Sequence, residues 1–172
     1  NTYFLESIYG AKGLLIEASP SNYEKCVKFR SKKNIFEHCA LVSFDYGSPF
    51  LELIYSDLMT VPTNTESLNS EIHAKKGLQF IKGTNYKFFA PAKTLSQVLN
   101  SRGISIVDLL CIDIEGYELE ALKGINFDSF LIKYIVIESR KIDEIKNYLF
   151  EKDYFLKKQL THHDYLFCKN KI

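Results

Sequence analysis

Apolar residues recur along the chain in two patterns, which together predict alternating helices and strands. In one pattern they lie three and four positions apart, as in residues 2–9, which is typical of an amphipathic helix. In the other they form short continuous runs, as in residues 107–113, which is typical of a strand covered on both faces of a parallel sheet. This alternation predicts an α/β fold of one domain, residues 1–172, built on an open, mostly parallel sheet.

Local signals indicate where these elements begin and end. Ser19 is suited to cap a helix that begins at Pro20, and residues 94–97 have the spacing of a capping box. Gly10 is suited to the left-handed stop of the first helix. The predicted helices are residues 2–9, 20–32, 94–103, 117–123 and 142–149, and the predicted strands are residues 13–17, 39–44, 50–58, 86–90, 107–113, 134–138, 154–160 and 165–169.

Two segments depart from this alternation. The last two predicted strands are joined by residues 161–164, a loop length suited to a hairpin, so we expect these strands to be antiparallel. Residues 60–85 are rich in Thr, Asn, Ser, Lys and Gly and show little periodicity. Because such long loops in compact domains are usually functional or disordered, we interpret residues 60–85 as a surface insertion.

Composition and charge narrow the class of protein. The 172 residues carry a formal net charge of +1, so nothing favours nucleic acid or an anionic membrane as a partner. No apolar run approaches the roughly 20 residues that cross a bilayer. The four cysteines form no Cys-x-x-Cys pair and match no zinc spacing. Reduced thiols of this kind favour a cytoplasmic location.

Carboxylates follow three of the apolar runs: Glu17, Asp113 with Glu115, and Glu138. Ligands of open α/β sheets bind at the carboxyl ends of the strands, so these side chains are expected to line one crevice. A carboxylate in the position of Glu17 accepts hydrogen bonds from both hydroxyls of a ribose, which indicates a nucleoside cofactor without identifying it. Taken singly, each acid is equally well explained as a cap of the next helix.

The segment from Asp113 to Glu118 is more specific. The strand delivers Asp113 to the crevice, and Gly116 permits a tight turn or a close backbone approach. Glu115 and Glu118 lie near the start of a helix, where the helix dipole favours anions. We interpret Glu118 as serving the helix end and Asp113 as the functional residue.

Several of these blocks, in order, resemble the FkbM methyltransferase family. They are Asn-Thr-Tyr-Phe-Leu-Glu at 1–6, Gly-Leu-Leu-Ile-Glu-Ala-Ser-Pro at 13–20 with Tyr23 and Arg30 behind it, Thr94-Leu95, Val-Asp-Leu-Leu-Cys-Ile-Asp-Ile-Glu-Gly-Tyr-Glu-Leu-Glu-Ala-Leu-Lys-Gly at 107–124, and Ile137-Glu138. The block at 107–124 is the most specific, and the resemblance spans nearly the whole chain.

The resemblance implies a Rossmann-like class I methyltransferase fold with S-adenosylmethionine as methyl donor. It also implies O-methylation of a sugar, a glycan-linked substrate or another small hydroxyl acceptor. The cofactor-binding residues would be Glu17, Ala18, Ala40, Asp113 and Glu115. The insertion at residues 60–85 is then the expected place for acceptor selection.

One part of the family pattern is missing from the sequence. The family's first strand and its acidic glycine-rich loop, which stand ahead of the segment matched by residues 1–6, have no counterpart here. Residues 1–172 alone are therefore expected to bind the cofactor weakly. Two alternatives stay open: a nicotinamide-dependent oxidoreductase, which would use Glu17 in the same way, and a non-catalytic remnant or binding module. The Asp-Ile-Glu-Gly block and the closing hairpin argue against the oxidoreductase.

The candidate catalytic residues are Asp113, His162 and His163. Methyl transfer to a hydroxyl needs positioning and a base, and Asp113 is the first candidate for that base. His162 and His163 are weaker candidates, because the last hairpin can reach the mouth of the crevice. Histidines and an acid can bind a metal, but adjacent residues of a turn point apart, so we expect no metal here.

Overall fold

The computed structural model describes residues 2–56, 59–63 and 86–170. The helices within these ranges are α1 (Tyr3–Tyr9), α2 (Pro20–Phe29), α3 (Leu95–Ser101), α4 (Glu118–Lys123) and α5 (Ile142–Phe150). The strands are β1 (Leu14–Glu17), β2 (Ile35–His38), β3 (Ala40–Leu41), β4 (Phe50–Tyr55), β5 (Val61–Pro62), β6 (Tyr86–Lys93), β7 (Ile106–Ile112), β8 (Leu131–Glu138), β9 (Tyr154–Gln159) and β10 (Asp164–Lys169). Most of the predicted insertion at residues 60–85 lies outside the described residues.

The strands form three sheets, in which parallel and antiparallel pairs are mixed. β1 pairs with β2 in parallel, the second sheet has the order β3-β6-β4-β5, and the third has the order β7-β8-β10-β9. β3–β6 and β7–β8 are parallel, whereas β4 is antiparallel to both its neighbours and β10 to both of its own. The α/β class and the antiparallel hairpin are confirmed, and the mostly parallel sheet is not.

The predicted local signals explain how several helices begin and end. The Ser19 hydroxyl accepts a hydrogen bond from the Asn22 amide, and Pro20 opens α2. Thr94 and Gln97 exchange the two hydrogen bonds of a capping box at the start of α3. Gly10 ends α1 in the left-handed conformation. Each of these signals acts within one helical turn, which is why the sequence alone predicts it.

The strand predicted at residues 39–44 differs from the observed strands. Only residues 40–41 of this segment form a strand, the short β3, which pairs with β6, whereas β2 lies earlier in the chain, was not predicted and pairs with β1. β2 buries the carboxylate of Glu37, which receives Lys93 Nζ at 2.6 Å and Arg102 Nη2 at 2.5 Å. These ion pairs connect β2 to β6 and to the end of α3, so tertiary contacts rather than an apolar pattern define β2.

Helix α1 is held by polar contacts rather than by its apolar face. Glu6 accepts hydrogen bonds from Arg30 Nε at 2.8 Å, from the Ser31 amide at 2.7 Å and from Asn34 Nδ2 at 2.7 Å. The face that the sequence presents as apolar is solvent-exposed, and Ile8 keeps 62% of its accessible surface. The helix therefore forms as predicted but buries no residue completely.

The main hydrophobic core lies around β7, β8 and β10, with side chains of α3, α4 and α5 packed against it. Within the described residues, β7 pairs only with β8 and β1 only with β2, so each has an open edge. Cys111 of β7 is exposed, although the apolar run at residues 107–113 predicted a strand covered on both faces. Leu14 and Ile16 of β1 pack against the same core as β7.

Candidate functional site

A cavity of about 530 Å³ opens at the carboxyl ends of β7 and β8. Its wall consists of residues 43, 45 and 46 after β3, residues 113 and 115–120 of the following loop and helix start, and residues 138–141, 144 and 145 around the start of α5. Seven acidic side chains and only two basic ones, Arg140 and Lys141, line it. The volume is within the range of sites for small molecules and cofactors.

The strand register brings three carboxylates side by side at this cavity. Ile112 of β7 lies opposite Ile137 of β8, so the next residues along these parallel strands, Asp113 and Glu138, are neighbours. Glu138 in turn lies opposite Asp164, the first residue of the antiparallel β10. Three adjacent strands of one sheet therefore each contribute an acid at the same edge.

Crowding changes the proton affinity of Asp113. Burial, the nearby charges of Glu138 and Asp164, and a hydrogen bond to Glu138 raise the pKa of Asp113 from 3.8 to about 6. Burial and the charge of Asp113 also raise the pKa of Glu115, while Arg140 acts in the opposite direction. A carboxylate with a pKa near 6 is suited to accept a proton near neutral pH.

The loop between Asp113 and α4 has a backbone conformation that only a few residues adopt readily. Glu115 has a φ of 54° and Gly116 a φ of 97°, both in the left-handed region. Glu118, which is almost fully buried, accepts hydrogen bonds from the amides of Gly116 at 2.8 Å and Ile114 at 3.3 Å. The helix-end role predicted for Glu118 agrees with these contacts, which hold the loop beneath Asp113 and Glu115.

The first candidate cofactor residue, Glu17, lies outside the cavity wall. Its carboxylate accepts a hydrogen bond from the Ser19 amide at 2.8 Å, which is the helix-capping contact foreseen as the alternative. Burial raises the pKa of Glu17, and the backbone hydrogen bonds from Ser19 and Ala18 oppose this. The His38 ring lies against Tyr23 at a tilt of 31°, with ring centroids 5.1 Å apart, and its Nε2 contacts the Ala18 carbonyl at 3.0 Å.

Ala18 and Ala40 are connected to the cavity wall through one side chain. Ala40 is buried in a second hydrophobic cluster that also contains Tyr117, and Ala18 and Ile114 pack against that cluster. Tyr117 in turn lines the cavity. The predicted cofactor residues therefore fall into two groups: Asp113 and Glu115 line the cavity, and Glu17, Ala18 and Ala40 do not.

The two candidate histidines are exposed in the turn between β9 and β10, and neither lines the cavity. Their main-chain carbonyls are engaged: His163 accepts from the Ser139 amide at 2.8 Å, and His162 accepts from Tyr165 Oη at 3.3 Å. The bond from Ser139 attaches the turn to the residue that follows Glu138. Within residues 2–56, 59–63 and 86–170, no three His, Cys, Asp or Glu side chains are grouped to hold a metal.

Sequence reasoning missed three residues that line the cavity, Tyr46, Tyr117 and Arg140. It considered Asp164 only as a possible metal ligand with the two histidines and not as the neighbour of Glu138. Tyr46 and Tyr117 look like ordinary apolar positions, and Arg140 lies in a loop with no motif. The sequence does place Asp164 at the start of the last strand, and an antiparallel strand beside β8 starts at the edge where β8 ends. This position identifies Asp164 as the neighbour of Glu138 only when the order of the strands is known, and the sequence does not give that order.

A family model described as "Methyltransferase FkbM domain" matches residues 1–167 of the chain. No curated protein and no solved structure matches the chain. In the described part of the chain no helix is long and apolar enough to span a membrane.

Proposed function

The chain belongs to the FkbM methyltransferase family, and from this premise we propose that it transfers a methyl group from S-adenosylmethionine to a hydroxyl of a neutral small molecule or glycan. The observation that supports this most directly is the carboxylate row, formed by Asp113, Glu138 and Asp164 on adjacent strands, in which the pKa of Asp113 is raised to about 6. Such a group at the end of a strand is suited to take the hydroxyl proton. The reaction would take place in the cytoplasm, without nucleic acid or membrane partners.

The residues present fit the cofactor in size and in charge. S-adenosylmethionine carries a sulfonium and an ammonium group, and the acid-rich lining of the cavity is suited to both. A cavity of about 530 Å³ is large enough for a ligand of this size. Asp113 and Glu115 would hold the charged part, with Ala18 and Ala40 beside the adenosine. The Glu17 carboxylate has acceptor positions left for ribose hydroxyls after binding the Ser19 amide.

The open edges of β1 and β7 belong to the same proposal. Both strands pack against one hydrophobic core, and apolar side chains of β7 stay exposed along its open edge. In the class I fold that the resemblance implies, a further strand and its glycine-rich loop lie at this place. We propose that the gap between β1 and β7 is the position of that strand, next to the cavity where its loop would contact the cofactor.

When bound, the cofactor supplies a methyl group already activated by the positive sulfonium. The chain's own contribution is to place the acceptor hydroxyl between Asp113 and the methyl carbon and to receive a proton. Asp113 would take the proton of the acceptor hydroxyl as that oxygen is methylated, and the cofactor would supply the methyl group and keep the electron pair of the S–C bond as a neutral thioether. His162 and His163 lie in a turn attached to the cavity edge and would act only at its mouth.

The charge of the cavity supports a neutral acceptor. Seven acids against two bases disfavour an acceptor of net negative charge, because an anion entering such a wall loses hydration without gaining a partner. Tyr46 and Tyr117 supply aromatic surface beside carboxylate acceptors, a combination suited to a polyhydroxyl compound. The same argument weighs against a nicotinamide cofactor, whose pyrophosphate is anionic.

Ligand binding separates the methyltransferase from the oxidoreductase. Ligand-observed NMR, which detects weak complexes, should show S-adenosylmethionine and S-adenosylhomocysteine bound and NADH free. Binding of NADH in preference to both would refute the proposal, and binding of none of them would favour the non-catalytic remnant.

A turnover assay tests the role of Asp113. The protein is incubated with S-adenosylmethionine and a panel of neutral sugars, and released S-adenosylhomocysteine is measured. Asp113→Asn should reduce turnover by roughly 100-fold, the usual scale for a general base. Asp108→Asn is the matched control, because Asp108 is also on β7 but is exposed and paired with Lys133. Equal turnover of both variants would rule out Asp113 as the base.

A further inference from the structure

Two carboxyl groups at the cavity lie side by side on neighbouring strands. Asp113 and Glu138 follow paired positions of the parallel strands β7 and β8, and the interaction with Glu138 contributes to the raised pKa of Asp113. Two neighbouring carboxyl groups can share a hydrogen bond only when one of them carries a proton, since ionised carboxylates only accept. The pair is therefore a place where one proton can be held between β7 and β8.

The surroundings keep this place acidic on every side. Asp164 of β10 faces the pair from beyond Glu138, and Glu115 lies on the loop that continues from Asp113. Arg140 is near Glu115 and acts on the pKa of Glu115 in the opposite direction to the acids. Because like charges at short range disfavour full ionisation, the pair binds a proton more readily than an isolated carboxylate does.

We propose that Glu138 is a positioning residue for methyl transfer: it orients Asp113 and holds, between the two carboxyl groups, the proton that Asp113 takes from the acceptor hydroxyl. Asp113 becomes the protonated donor and the Glu138 carboxylate the acceptor, so no proton has to leave the cavity during the transfer itself. The catalytic part of this role rests on the proposed function, whereas the proton-sharing pair does not.

The pair can be tested without cofactor or acceptor. Carboxyl carbon NMR of protein labelled with ¹³C in Asp and Glu follows the titration of Asp113 directly. Glu138→Gln replaces the negative neighbour with an amide that can donate to the Asp113 carboxylate, so the Asp113 midpoint should move down towards its ordinary value. Asp164→Asn removes a charge without removing the hydrogen bond, so its downward shift should be smaller.

The control and the order of the shifts make this test decisive. Asp108→Asn, on the same strand but away from the cavity, should leave the Asp113 midpoint unchanged. An unchanged midpoint in Glu138→Gln overturns the pair. If Glu138→Gln does not fold, Asp164→Asn carries the test, because an unchanged midpoint there contradicts the carboxylate row.

Kinetic measurements then test whether the carboxyl pair takes part in methyl transfer, which is a separate question from whether the pair exists. In the presence of a working acceptor, the acidic limb of the pH–turnover profile should move to lower pH in Glu138→Gln, which a merely structural residue would not cause. A shifted Asp113 midpoint in a protein that binds no S-adenosylmethionine would overturn the proposed function and the catalytic role while the pair stands. Methyl transfer with a profile unaffected by Glu138→Gln would overturn the positioning role alone.

Discussion

The carboxylate proposed as the base should reduce the stability of the folded protein at neutral pH. Folding raises the pKa of Asp113 from 3.8 to about 6, so the folded state binds its proton more tightly than the unfolded chain does. Proton binding to Asp113 therefore stabilises the folded state fully at pH values below 3.8, and this stabilisation is lost as the pH rises through about 6. Asp113→Asn, which has no charge to lose, should escape that loss.

The size of the effect follows from the shift and from the exposure of the side chain. A rise of about two units corresponds to at most about 3 kcal/mol of unfolding free energy. Asp113 is open to the cavity and to solvent, which screens its interactions, so we expect about 1 kcal/mol. For a chain of this length that free energy raises the melting temperature by about 2–4 °C.

Urea unfolding at a series of pH values measures this effect. The difference in unfolding free energy between Asp113→Asn and the unmodified protein should be smallest near pH 4 and should reach its full size above about pH 6. Asp108→Asn serves as control, because it removes an exposed carboxylate of the same strand. A difference that does not depend on pH, or one that favours the unmodified protein at neutral pH, would refute the assigned environment of Asp113.

Two further predictions concern the scaffold around the cavity. Gly124→Ala should destabilise the fold by about 2 kcal/mol or more in urea unfolding, because a methyl group there would stand 2.2 Å from the Val42 carbonyl oxygen. Gly47→Ala is the control and should be neutral, because nothing lies within 4 Å of a methyl group at that position. Equal effects of the two substitutions would contradict the close packing at Gly124. Glu37→Gln should cost about 1–2 kcal/mol at neutral pH, because two partly exposed basic side chains lose their buried partner. Since hydrogen bonds from these bases lower the pKa of Glu37, the deficit should shrink as the pH falls through that lowered pKa, and a deficit that persists at low pH would contradict the ion pairs.

Features that depend on neighbouring residues were predictable from the sequence. The capping box at Thr94, the start of α2 at Pro20 and the hairpin of β9 and β10 all involve groups a few positions apart. The position of Asp113 was predictable for a related reason, because an apolar strand admits an ionised carboxylate at low cost only at its tip.

What the tertiary structure decided depends on contacts between distant segments. The register of β7, β8 and β10 brings Asp113, Glu138 and Asp164 together, and no local pattern encodes the order of strands. Cys111 is exposed although its apolar sequence indicated burial, because the cover of a strand depends on which distant segments pack over it. The apolar pattern thus determines which residues can be strands, whereas strand pairing decides which side chains meet, since hydrogen bonds between strands form across any spacing in the chain.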